Sequence, residues 1–206
     1  METTAYLRKL AEQGNSDAQF RIGYRLAFGR KSPRPRKWEE VVGWWQLAAD
    51  QGVRRAKFYL GVCYEHGRGV DSDITKAFAC YLEAAQLGFP EAQYNAGFSY
   101  REGSGVEQDY QKAAEWFEKA ARNGEEWAQR DLGYCYFYGQ GVPKDEAKAV
   151  YWYRRAAKAG DNKAQYNLAL CYAAGEGVGK SQKWANYWLR RAASQGHLQA
   201  KKRLLG

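Results

Sequence analysis

The chain has 206 residues, with Lys+Arg 32 against Asp+Glu 23 for a formal net charge of +9, and 45% of its residues are hydrophobic and 16% aromatic. That composition can bury a core and excludes a disordered chain. With Pro 4 and no Gly/Ser-rich tract to act as a linker, residues 1–206 read as one domain. No run of eighteen apolar residues occurs, and the N-terminus is polar within its first turn and has no apolar h-region, so neither a membrane span nor a cleaved signal is expected.

The first element, residues 1–14, carries Tyr6, Leu10, Ala11 and Gly14, a spacing that returns as Trp44, Ala48, Ala49 and Gly52. It is therefore half of a repeating unit. Five full units follow, at about 15–52, 53–88, 89–124, 125–160 and 161–196, and residues 197–206 close the chain. Their phase is set by Ala18, Ala56, Ala92, Ala128, Ala164 and Ala200, separated by 38, 36, 36, 36 and 36 residues. Self-similarity at such a period marks a stacked-repeat architecture.

Each unit reads as two helices. In the third, Ala92, Ala96, Gly97 and Tyr100 fall on one helical face, and Gly103 stops the first helix. A Gly-x-Gly-Val turn follows, at Gly67–Val70, Gly103–Val106, Gly139–Val142 and Gly175–Val178. The second helix then opens on an oxygen-bearing cap, Asp73, Asp109, Asp145 or Ser181. Its apolar stripe, Ala113, Trp116, Ala120 and Ala121 in the third unit, places the column Trp44, Cys80, Trp116, Trp152 and Trp188 in the core. Glycine ends it, as at Gly124. Neither helix of a pair buries its apolar face alone, so the fold class is all-α, an α-solenoid of five helix pairs with an extra N-terminal helix and a short C-terminal capping helix. In that cap, Lys201, Lys202 and Arg203 face outward.

The run Ala-Gln-Tyr-Asn at Ala92 and Ala164, the Gly-x-Gly-Val turn, the acidic cap, Ala-x-x-Trp and Ala-Ala together resemble the Sel1-like repeat family. Tetratricopeptide repeats are related, but have a 34-residue period and lack this turn. The resemblance implies a right-handed superhelix of helix pairs that serves as an adaptor or scaffold for proteins or peptides. It leaves assembly adaptor, bacterial regulator and toxin-neutralising immunity protein all open. Secreted members carry paired cysteines within each repeat, a pattern absent here.

Cys63, Cys135 and Cys171 share one column of the first helix, and Cys80 stands in the Trp column. Packed helices about 10 Å apart cannot bridge such positions, which fits a reducing compartment and a cytoplasmic location. His66 and His197 lack ligand-spaced partners, so no metal or other cofactor is expected. Residues 174–181, Ala-Gly-Glu-Gly-Val-Gly-Lys-Ser, approach a phosphate-cradling loop, but they follow a helix instead of a strand and occupy the ordinary turn phase. No catalytic constellation occurs, and the acidic pairs Glu39/Glu40 and Glu125/Glu126 fall at helix starts, where carboxylates favour the dipole.

Function then falls on positions the repeat does not need. Offsets +6, +9 and +10 of the first helix point away from the second, towards the concave lining. The candidate partner-binding residues there are Tyr24, Phe98, Arg101, Glu102, Tyr134, Phe137 and Tyr138, with Asp131 beside them. Rigid aromatics with a few charges are the composition of an interface centre, whereas the competing reading packs Phe98 and Tyr134 on neighbouring repeats. The basic excess gathers in patches: Arg30, Lys31, Arg34, Arg36 and Lys37 in the first turn, Arg154/Arg155 and Arg190/Arg191 on second helices, and Lys201–Arg203. They are read as solvated surface; the alternative is an acidic partner or nucleic acid. Nucleic acid is disfavoured because the patches form no single stripe with interleaved aromatics.

Overall fold

The computed structural model describes residues 3–29 and 37–205, which form twelve helices joined by turns, with no strand among them. The basic cluster Arg30, Lys31, Arg34 and Arg36 lies outside the described residues. The chain divides into two compact units, Met1–Gln108 and Asp109–Gly206. The first contains α1 (Thr4–Glu12), α2 (Ser16–Phe28), α3 (Trp38–Asp50), α4 (Arg54–His66), α5 (Ile74–Gln86) and α6 (Pro90–Glu102). The second contains α7 (Tyr110–Arg122), α8 (Glu126–Tyr138), α9 (Glu146–Ala159), α10 (Asn162–Ala174), α11 (Gln182–Ser194) and α12 (Leu198–Leu205). Within each unit every helix packs on the next in sequence.

The capping pattern read from the sequence is present. Asp73, Asp109, Asp145 and Ser181 each accept a hydrogen bond from the backbone N–H three residues on, and the three aspartates also pair with Lys76, Lys112 and Lys148. Those contacts hold the three carboxyls below the usual carboxylate range. At the other junction, a glutamine one residue after the phase-setting alanine caps the preceding helix from below. The Nε2 groups of Gln19, Gln93, Gln129 and Gln165 donate to the carbonyls of Ala11, Ala85, Ala121 and Ala157. These amides are buried, and the carbonyls of Ala11, Ala85 and Ala121 also accept from the N–H of Gly14, Gly88 and Gly124, so there the glutamine adds a second bond at the helix end. In the second repeat Lys57 takes the glutamine's place and pairs with Glu83.

The core column needs a correction. Trp44, Cys80 and Trp116 are only half-buried; the fully enclosed side chains stand one residue later, at Trp45, Tyr81, Phe117 and Tyr153, with Leu189 in the last repeat. Trp152 and Trp188 are buried as the spacing predicts, Trp188 to the same degree as Leu189. The reason is the partner position on the first helix. A Cβ added at Gly23, Gly61 or Gly133 would lie 2.6, 2.6 or 2.7 Å from Trp45, Tyr81 or Tyr153, so glycine there opens the slot that the ring fills. Where α11 offers the smaller Leu189, α10 carries Ala169. Side-chain volume on one helix thus trades against volume on the other.

Within the first unit Trp45 also donates Nε1–H to the Phe20 carbonyl at 3.3 Å. The core there gathers Phe20, Val41, Trp45, Leu60 and Cys63, and in the second unit Val150, Tyr153, Leu168, Cys171 and Leu189. The turn valines Val70 and Val178 pack beneath these clusters, as read from the sequence.

All four cysteines are free thiols. Burial pushes Cys63 and Cys80 from an ordinary value of 9.0 up to about 11, and Cys171 up to about 12. An unfolded thiol ionises near pH 9 while these stay protonated in the folded chain, so their contribution is complete below pH 9 and is lost as pH rises towards 11. The urea midpoint should therefore fall between pH 8 and pH 10.5, and less so in Cys171→Ala; a midpoint independent of pH over that range contradicts the burial of these thiols. In the unfolded chain, without reductant, all four should react with a thiol reagent, and two or fewer would contradict a reduced state.

Candidate partner-binding surface

Alternate helices leave one face free of the core, and the aromatic residues on the first-helix faces remain open to solvent. Tyr24, Phe98, Tyr134 and Tyr138 are 44, 40, 38 and 59% exposed, levels at which burial does not account for an aromatic side chain.

In the first unit, Tyr24 lies on α2 with Phe28 one turn later, their ring centroids 4.9 Å apart. Tyr59 of α4 packs against both, at 5.7 Å from each, and stacks on Trp45 at 5.0 Å. Burial, reinforced by Tyr24, raises the Tyr59 hydroxyl above its ordinary value. This aromatic raft is thus anchored in the core at Trp45 and open at Tyr24 and Phe28. Neither Phe28 nor Tyr59 was singled out from the sequence; the i, i+4 spacing of Tyr24 and Phe28 was the available signal. On α6, the Arg101 guanidinium lies over the Phe98 ring at 4.9 Å, and its Nε donates to Glu102 at 2.7 Å. The three residues named together from their offsets do meet on one exposed edge.

In the second unit, Tyr134, Phe137 and Tyr138 of α8 form a single group, Tyr134 and Tyr138 at 4.4 Å and Phe137 and Tyr138 at 5.0 Å. Together with Tyr153, Asn167 and Leu170 they line a cleft of about 130 Å³. Its floor is aromatic, and Asn167 is the polar side chain on its α10 wall. That volume admits one branched or aromatic side chain of a partner.

Asp131 stands apart from this surface. It is only 6% exposed, and its carboxylate accepts from Arg130 Nε at 2.7 Å, while Arg130 Nη1 reaches Asp161 at 2.9 Å. Asp161 in turn caps α10 through the Ala164 N–H. This charged triad ties α8 to α10 inside the unit, so we assign Asp131 to internal structure. The phosphate-loop look-alike is likewise an ordinary turn: α10 ends at Ala174, Gly175 has φ +87°, and Ser181 caps α11. Among the described residues no group of three or more His, Cys, Asp or Glu could hold a metal ion, and no helix is long and apolar enough to cross a membrane.

Repeated helix hairpins that present open side chains around an alanine-rich core define a helical repeat scaffold. A family model for the Sel1 repeat matches residues 16–53, 54–89, 90–125, 128–161 and 162–197, and the chain belongs to that family, whose solenoid fold is generally a non-enzymatic scaffold for protein interactions. The chain is similar to a protective antigen with an SLR fold from uropathogenic Escherichia coli, at 34% identity and TM-score 0.91, over 97% of this chain and 42% of that one. A Sel1 repeat protein from Oxalobacter formigenes gives 34% identity and TM-score 0.85, over 98% of this chain and 57% of that one. An immunity protein from Pseudomonas aeruginosa gives 26% identity and TM-score 0.53, over 90% and 67%. Over 81 residues the chain is 33% identical to the DAP3-binding cell death enhancer 1 of Rattus norvegicus, spanning 39% of this chain and 15% of that protein. The chain thus spans well under two thirds of the length of several of these relatives.

Proposed function

We propose that this chain is a non-enzymatic scaffold that binds a protein or peptide partner on its first-helix faces, working in the cytoplasm without a cofactor. The observation that carries the reading is the set of aromatic side chains kept open to solvent there, above all Tyr134 and Tyr138 over the cleft of α8 and α10. The repeat core closes without them, through Tyr153 and Leu168. In this reading Tyr24, Phe98, Phe137 and the Arg101–Glu102 pair extend the contact surface within their own units. The likeness to an immunity protein favours, among the jobs open to a scaffold, neutralisation of a toxin by occupying it. Nucleic-acid binding is the lesser alternative.

The test is affinity isolation from the native cell with the wild-type chain and, in parallel, Tyr134→Ala/Tyr138→Ala. A protein retained by the first and lost by the second supports the reading. Equal retention by both, or recovery of nucleic acid alone, contradicts it.

A further inference from the structure

The second unit carries another surface, on the outer faces of its second helices. Helices α9 and α11 repeat one pattern, differing only at the core position: Tyr151-Trp152-Tyr153-Arg154-Arg155-Ala156-Ala157 and Tyr187-Trp188-Leu189-Arg190-Arg191-Ala192-Ala193. Arg155 lies over the rings of Tyr151 and Trp152 at 6.0 and 5.4 Å, and Arg191 over Tyr187 and Trp188 at 5.9 Å each. Each guanidinium also donates to its tyrosine hydroxyl, at 3.3 and 3.0 Å. Arg154 donates to the Tyr172 hydroxyl at 3.1 Å, and Tyr172 stacks on Trp184 at the start of α11. One array of arginines and rings therefore runs from α9 through the end of α10 to α11.

These arginines have no acid. Arg8, Arg21, Arg101, Arg122 and Arg130 each pair with a carboxylate, but no ion pair among the described residues involves Arg154, Arg155, Arg190 or Arg191. Helix α11 contains Lys183, Arg190 and Arg191 and no Asp or Glu. A shallow furrow along it is lined by Lys183, Trp184, Tyr187, Arg190 and Arg191. Stacking on a ring and one bond to a neutral hydroxyl fix each guanidinium without neutralising it, and its remaining N–H groups can donate to a carboxylate.

We infer that this face of α11, continued by Arg154 and Arg155, is a second docking site, for an acidic Asp/Glu-rich segment of a protein partner. Charge complementarity argues for the anion. The rings argue for a peptide over a single-stranded nucleic acid. Tyr187 is flanked by Arg191, Trp184 and Trp188, and Trp184 is already stacked on Tyr172, so little ring face is left on which successive bases could stack. From Lys183 to Arg191 the helix rises about 12 Å, the span of about four extended residues. Two carboxylates separated by two or three residues would engage both ends of the furrow.

The probe is a fluorescein-labelled dodecapeptide of alternating Glu-Ser and Asp-Gly, followed by anisotropy with the full chain at physiological salt. Arg190→Ser/Arg191→Ser should weaken binding by about tenfold or more, with the melting temperature lowered by no more than a few degrees, because both side chains are exposed and only the ring contacts of Arg191 are lost. Arg190→Lys/Arg191→Lys keeps the charge and loses the stacked fork, so it should also weaken binding, by about threefold or more. Lys201→Ser/Lys202→Ser removes equal charge from α12 and should leave affinity within about twofold. The inference is overturned if the α12 variant loses as much as the α11 variant, or if the lysine variant binds like wild type, since net charge alone then suffices. Tighter binding of a twelve-nucleotide single strand, or of phosphatidylserine vesicles, than of the peptide overturns it as well. None of these outcomes depends on the first-helix cleft, and Tyr134→Ala/Tyr138→Ala should bind the acidic probe normally.

Discussion

Phe117→Ala should cost about 3–5 kcal/mol of stability, the usual penalty for deleting a core aromatic ring. Phe117 is 0% exposed and occupies the slot that Trp45 and Tyr153 hold in their own repeats. Its neighbour Trp116 makes the comparison informative. Trp116 is half-buried, with Lys119 over its ring at 3.9 Å, so Trp116→Ala loses a partly buried ring and one cation–π contact. Its cost should be only about 1–2 kcal/mol. Equilibrium unfolding in urea of the two variants decides the register of the core column: a larger loss for Trp116→Ala would return that column to the position read from the sequence.

The second large effect lies at the turn. Gly141 has φ +71°, and a Cβ there would run into the carbonyl of Tyr110 at the start of α7. The same close approach recurs between Gly105 and Ile74 and between Gly177 and Glu146, so the second glycine of each turn seats against the first residue of the preceding second helix. Gly141→Ala combines a left-handed backbone, about 1–2 kcal/mol, with a backbone collision that overpacking data put at about 1–3 kcal/mol. Gly124→Ala is the control, because Gly124 has φ +91° but nothing within 4 Å of an added Cβ. It should lose only the conformational part. If both variants have the same urea midpoint, the turn does not depend on that contact.

These two positions also mark how far the sequence could be read. The period, the helix boundaries, the caps at Asp73, Asp109 and Asp145 and the turn glycines were legible because each rests on local chemistry repeated in phase. The core column lies one residue later than the Trp column at Trp44, Cys80 and Trp116, whereas Trp152 and Trp188 are buried as the spacing predicts. In the first repeat Trp44 and Trp45 are both tryptophan, and the more regular Trp column drew the assignment, although adjacent residues on a helix share part of a face. The complementary signal was present in Gly23, Gly61 and Gly133, whose missing side chains make room for the ring, but it pairs positions about twenty residues apart. Asp131 was legible as a charge and not as a buried one, since its partner network closes through Asp161, thirty residues on. Tyr134, Phe137 and Tyr138 were readable as a group from offsets alone. Leu170 stood in the same offset column as Tyr134, but its place on the opposite wall of their cleft, with Asn167, needed the structure.

In the function proposed above, the open aromatics of the first-helix faces serve recognition and not the fold. The most direct measurement takes Tyr134→Ala/Tyr138→Ala and records both its urea midpoint and its affinity for the partner isolated with the wild-type chain. The midpoint should stay close to wild type, within about 1 kcal/mol, and binding should weaken by about 2 kcal/mol or more, roughly thirtyfold. A double variant that unfolds as readily as Phe117→Ala would make these rings part of the core. One that is stable and still holds the partner at full affinity would remove binding from this cleft.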